Sequence, residues 1–236
     1  MTHPRWQHFS TVLLRGCLFF LLTVTVTAQR DGHSLAFSAG FTDRGRIFPY
    51  PQSPDPAQRL HSEDLSAAWS TALSWRYHFV PSVALNVRGD FVSASDEETD
   101  QVGSRHVRGF RFLLVESSIL FSLPFSTDRF DSYIGGGAGV YTGRRVYSIA
   151  GIEARHVSAD PAVGIQVLIG AEYLLSDSFG LRLEVVFRDP QIGVENRFPQ
   201  SSVFSGGIEY PLQTEPFRSS INLNGNAYTL GVCYLF

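Results

Sequence analysis

Asn226-Ala227-Tyr228-Thr229-Leu230-Gly231-Val232-Cys233-Tyr234-Leu235-Phe236 alternates strictly between two faces. Tyr228, Leu230, Val232, Tyr234 and Phe236 lie on one side, and Thr229, Gly231, Cys233 and Leu235 on the other. A period of two marks a β-strand, and aromatics stand at both ends of its apolar face. Chain termini ordinarily fray into water. A strand this apolar is at home at the closing seam of a transmembrane barrel, where its outer face meets lipid.

The same alternation recurs upstream. It is seen in Ser34–Thr42, Ala68–Phe79, Ser82–Val92, Phe110–Leu123, Ser132–Thr142, Ala162–Leu174 and Phe179–Arg188. With the last segment this makes about eight strands, each near the length that crosses a tilted bilayer span. The connections alternate as regularly. Asp43–Ala67, Ser93–Gly109, Gly143–Pro161 and Asp189–Leu223 are long, whereas Val80–Ser82, Pro124–Asp131 and Leu175–Ser178 are short. Short turns on one side and long loops on the other are the habit of outer-membrane barrels. A secreted sandwich or lipocalin-like barrel shares the alternation but has no reason to follow the two-sided loop rule.

The opposite end supplies an export route. Arg5 and Arg15 precede the short apolar core Cys17–Val26, and Val26-Thr27-Ala28 offers a cleavage site before Gln29. Residues 1–28 are therefore expected to be a signal peptide for the general secretory pathway, with residues 29–236 as one barrel domain. Cys17 precedes the apolar core, which argues against lipidation. Loss of the two arginines takes the formal net charge from −3 to −5. A mildly acidic chain without basic clusters argues against nucleic acid as a partner. Only Cys233 would survive processing, so no internal disulfide is expected. No apolar run beyond residue 28 has membrane-helix length.

The expected fold is all-β: a closed antiparallel transmembrane β-barrel of about eight strands, with short periplasmic turns and long extracellular loops. Such a barrel encloses a lumen just wide enough for its own side chains. The polar faces would place Arg76, His78, Arg88, Asp90, Glu116, Glu172, Arg182, Glu184 and Arg188 inside. Both signs occur in similar numbers, and an unpaired enclosed charge costs several kcal/mol. A plugged, internally paired lumen is the favoured reading, and a narrow conduit for small solutes is the alternative.

Signal peptide, alternating strands, loop rhythm and the final Tyr-Leu-Phe together resemble the small outer-membrane β-barrel proteins of the OmpA/OmpX/OmpW-like group. The resemblance spans the mature chain and is architectural. It implies an integral outer-membrane protein in contact with lipid and lipopolysaccharide, monomeric, with a structural or surface-interaction role. In that group a terminal Phe resembles the signal read by the barrel assembly machinery. Phe236 holds that position, with Tyr234 two residues before it.

A third class is a lipid A-modifying enzyme. His156-Val157-Ser158 is similar to the His-x-Ser element of lipid A deacylases, with Asp160 or Glu172 as orienting acids. The family carries that pair on a barrel strand, whereas here it falls in an expected loop and the rest of the signature is missing. No catalytic residue, cofactor or metal site is assigned. The histidines lack metal-ligand spacing. Asp96-Glu97-Glu98-Thr99-Asp100 lacks the ligand-and-glycine pattern of a calcium loop and reads as solvated. Gly135-Gly136-Gly137-Ala138-Gly139 sits inside a strand without a following helix or Lys, so it reads as close packing instead of a phosphate loop. Val203–Tyr210 could form a hairpin in the longest loop or add strands to the barrel, and the long loops are candidates for a surface ligand.

Overall fold

The computed structural model describes residues 32–236 apart from residues 44, 66 and 224. The expected signal peptide lies outside the described residues. Eight antiparallel strands form the barrel: β1 (His33–Thr42), β4 (Ala68–Val80), β5 (Val83–Thr99), β6 (Arg105–Ser122), β7 (Phe130–Ile149), β10 (Ala162–Leu174), β11 (Phe179–Arg188) and β16 (Gly225–Leu235). The ring runs β10-β11-β16-β1-β4-β5-β6-β7 and closes by pairing β7 with β10. The quoted C-terminal segment, β16, is the seam between β1 and β11, the first and seventh barrel strands in chain order. Leu235 faces Ser34 in β1, and Tyr234 faces Phe179 in β11.

Parity decides which side of the wall each residue takes. Phe37, Leu73, Phe91, Leu113, Val140, Ile165, Leu183 and Leu230 all point outward and are exposed, Ile165 at 79%. These residues come from every strand of the ring. A continuous exposed apolar wall of this extent requires an apolar surrounding. Aromatic residues stand at its two edges. At the loop end Phe41 stacks on Tyr228 at 5.2 Å, with Trp69 beside them in register. At the turn end His33, Trp75, Tyr77 and Phe236 form a stacked group.

The turns after β4, β6 and β10 are short, as expected, but the long connections hold more structure than the sequence suggests. Ser93–Gly109 is mostly strand. β5 and β6 continue past the apolar wall as a hairpin closed by a turn at Asp100–Ser104. The acidic run is exposed to solvent and also paired: Glu97 bonds Arg105, and Glu98 bonds Arg108 across the hairpin. β7 likewise extends beyond Thr142, followed by β8 (Ile152–Glu153) and β9 (Arg155–Asp160).

The first long connection holds β2 (Gly45–Phe48), the helix α1 (Pro56–Leu60) and β3 (Glu63–Leu65). The longest holds β12 (Gln191–Arg197), β13 (Ser202–Ser205), β14 (Ile208–Pro211) and β15 (Phe217–Asn222). Strands β3, β2, β15, β12 and β9 join into a five-stranded sheet above the barrel mouth. β13 and β14 pair only with each other, so Val203–Tyr210 is a separate hairpin and adds no strand to the barrel. Helix α1 is capped by Asp55, whose carboxylate accepts from the Ala57 amide at 3.0 Å.

Candidate functional site: the lumen and its cap

The lumen is built from alternate positions on each strand. On β11, Arg182, Glu184 and Arg188 share the inward face at even spacing, and on β5 Arg88 and Asp90 do the same. Near the turn end, Glu172 and Arg182 are direct cross-strand partners, with Arg182 Nε at 2.9 Å from the carboxylate. Ser74 and Ser34 accept the other two guanidinium nitrogens of Arg182 at 3.0 and 2.9 Å. From the opposite wall Arg76 reaches the same Glu172 at 3.4 Å.

One level further in, Glu184 accepts from Arg76 at 3.3 Å, from Arg88 at 2.8 Å and from the Tyr133 hydroxyl at 2.8 Å. The Arg76 guanidinium also lies over the Tyr133 ring, 4.2 Å from its centre. Above that, Asp90 takes Arg88 at 3.3 Å and Arg188 at 2.8 Å. Arg188 continues to Glu116 at 3.1 Å, and the Tyr141 hydroxyl donates to the same carboxylate at 3.2 Å. The result is one unbroken alternation: Arg182, Glu172, Arg76, Glu184, Arg88, Asp90, Arg188, Glu116. Four arginines and four carboxylates balance, and all eight are buried.

Of the nine residues assigned to the lumen from sequence, these eight are joined into one network. His78 stands apart. It is half-buried at the turn end, where its Nδ1 lies 3.3 Å from the Gly32 carbonyl oxygen. There it lines an open vestibule of about 1110 Å³, together with Tyr77, Arg129, Asp131, Glu172 and Phe236. Phe236 stacks near His33 and Tyr234, with ring centres 5.8 and 5.9 Å away. Its backbone N–H donates to the His33 carbonyl, which ties the last residue to β1.

At the other end the lumen turns apolar. Val92, Phe110, Phe112, Leu114 and Tyr141 of the barrel form one buried cluster with Ile47, Ile192, Val194, Ile221 and Leu223 from the cap. Phe110 and Phe112 stack at 4.8 Å. The inward face of β6 therefore changes from apolar to charged at Glu116. The cap sits tightly: a Cβ on Gly45 would come within 2.8 Å of the Phe110 ring. Glycines on β7 allow similar closeness lower down. A Cβ on Gly139 would meet Glu116 Cγ at 2.8 Å and the Tyr141 hydroxyl at 3.0 Å.

The His-x-Ser element lies on β9, in the cap sheet instead of a loop. His156 and Ser158 are both exposed. Ser158 donates to Glu195 at 3.0 Å, Asp160 pairs with Arg218, and Glu172 is in the lumen bonded to Arg182. The structure does not bring these four residues together. Among the described residues no group of His, Cys, Asp and Glu could hold a metal ion. Cys233 is buried on the inward face of β16.

Sequence reasoning missed the cap sheet, which closes the loop end of the lumen. Its signal was present in Ile192/Val194 and Ile221/Leu223, short alternating runs inside what read as one long loop.

With the geometry in view, the fold is that of the small outer-membrane β-barrels. Among solved structures the chain is similar to the outer membrane protein OprG from Pseudomonas aeruginosa. They share 12% identity and a TM-score of 0.62 over 89% of this chain and 98% of that one. It also matches Neisserial surface protein A at 13% identity and a TM-score of 0.46, covering 87% of this chain and 97% of that one. No family model and no curated protein sequence matches the chain.

Proposed function

We propose that this chain is an integral outer-membrane barrel that seals instead of conducting, exported as a monomer and working through the sheet it raises above the membrane. One observation carries the reading: ion pairs cross the full width of the lumen while an apolar cluster closes its loop end. The exposed apolar wall with aromatic edges supports the membrane seating, and contact with outer-membrane lipid follows from it. Rigid strands that lift polar segments above the wall suit a surface-interaction role. No catalysis is proposed: His156 is exposed, and Ser158 donates to Glu195 and not to His156.

The alternative is a narrow conduit. It is supported by the open vestibule at the turn end, which leads inward as far as Glu172. Liposome swelling separates the two readings. Vesicles carrying the protein are expected to swell in a small sugar no faster than protein-free vesicles, and solute-dependent swelling would favour the conduit. Membrane fractionation of expressing cells tests the seating itself, with the protein expected in the outer-membrane pellet and not in the soluble fraction.

A further inference from the structure

We infer that Arg111 and Arg144 form a binding site on the outer wall for the phosphate of an outer-leaflet lipid headgroup. The two residues are direct cross-strand partners on β6 and β7. Their neighbours Phe110, Phe112 and Arg145 are buried, so by parity both arginines project outward from the wall. Like charges directly opposite each other on one sheet face are destabilising. Among the described residues neither side chain has a hydrogen bond or ion pair to offset this.

The outward positions next to them on β5, β6 and β7 hold no acid. They are Ser93, Gly109, Leu113, Thr142 and Val146. The wall therefore presents two guanidinium groups on adjacent strands with nothing anionic of its own between them. A phosphate oxygen pair matches that arrangement, because guanidinium binds phosphate through forked hydrogen bonds.

The height of the pair selects the source of the phosphate. The row of register that joins Phe41, Trp69, Ser93, Arg111 and Arg144 climbs with the tilt of the strands, so the pair stands on the loop side of the Phe41–Trp69 edge, directly beyond Leu113. Phe41 and Trp69 belong to the aromatic edge at the loop end, where interfacial rings sit at headgroup level. Leu113 and Val115 continue the apolar wall immediately below. An arginine at that boundary costs little and can reach charged headgroups. The site rests on the membrane seating proposed above, which fractionation tests separately.

The test uses the full chain purified from membranes into phosphatidylcholine nanodiscs, with bisphosphorylated lipid A, dephosphorylated lipid A and inorganic phosphate as probes. Wild type is expected to bind bisphosphorylated lipid A about tenfold or more tightly than the R111Q/R144Q variant. R111K/R144K keeps the charge but lacks the fork, and should bind more weakly than wild type and more tightly than R111Q/R144Q. R155Q/R197Q removes a second cross-strand arginine pair, on the cap sheet and not on the barrel wall, and should bind as wild type does. Heat-modified gel mobility confirms that each variant is folded. Unchanged binding in R111Q/R144Q would overturn the inference. So would an equal loss in R155Q/R197Q, equal binding of dephosphorylated lipid A, or displacement by inorganic phosphate as effective as by lipid A.

Discussion

Arg88 on β5 and Glu184 on β11 meet at 2.8 Å, although their strands stand four places apart in a ring of eight. The contact therefore spans the barrel's whole diameter, and Asp90 with Arg188 repeats it at 2.8 Å one level nearer the cap. Pairs that cross a lumen brace it and occupy it at once.

Removing a partner should cost most where the stranded charge has no second counter-ion. Arg188→Ala leaves Glu116 with only the Tyr141 hydroxyl, and the expected loss is about 3–5 kcal/mol. Glu184→Gln should cost less, because Arg76 retains Glu172 and Arg88 retains Asp90. Urea unfolding in lipid vesicles, followed by tryptophan fluorescence, reads both. Equal losses would show that the pairs do not act as a connected network.

Glycine positions on the wall should divide by what faces them. Gly139→Ala pushes a methyl group towards Glu116 and Tyr141 and should destabilise by about 1–3 kcal/mol. Gly89→Ala meets nothing within 4 Å and should change stability little. The same unfolding assay decides, and a silent Gly139→Ala would contradict the close packing of β6 on β7.

The hairpin β13–β14 is held to the β5–β6 turn by Asp100, which accepts from the Tyr210 hydroxyl, from His106 at 3.2 Å and from the Ser104 amide at 2.8 Å. The Tyr210 bond is the main reason the Asp100 carboxyl titrates at about 2 instead of 3.8. A depressed carboxylate stabilises the docked state above its unfolded value and loses that contribution as pH falls towards its folded one. The docked hairpin should therefore persist at pH 5 and loosen between about pH 4 and pH 2. Proteolysis by pepsin across that range reads the loosening, with cleavage near residues 202–211 expected first. Asp100→Asn should loosen the hairpin at neutral pH without altering heat-modified mobility of the barrel.

Much of this architecture was legible because the barrel wall obeys one rule. Parity alone places Arg88, Asp90, Glu184 and Arg188 inside and Leu183 and Phe187 outside, and the recurrence of alternating segments gives about eight strands. Partners across the lumen were not legible, because Arg88 and Glu184 lie 96 residues apart and meet only once the ring closes. The cap escaped notice for a different reason. Its strands are short and pack on the barrel from one side, so each carries only two or three apolar positions. Above the apolar wall, β5 and β6 keep only Val107 as an outward apolar residue, and alternation no longer marks them as strand. What remains there is the match of Glu97 and Glu98 with Arg105 and Arg108, a charge pattern instead of a hydrophobic one.

The proposed function depends on a closed lumen. Purified wild-type protein in a planar lipid bilayer is the most direct test, with salt on both sides and a steady applied voltage. Insertion should add no unit current above the bare bilayer at either polarity. Reproducible, steady unit steps from the wild-type protein would contradict the sealed lumen.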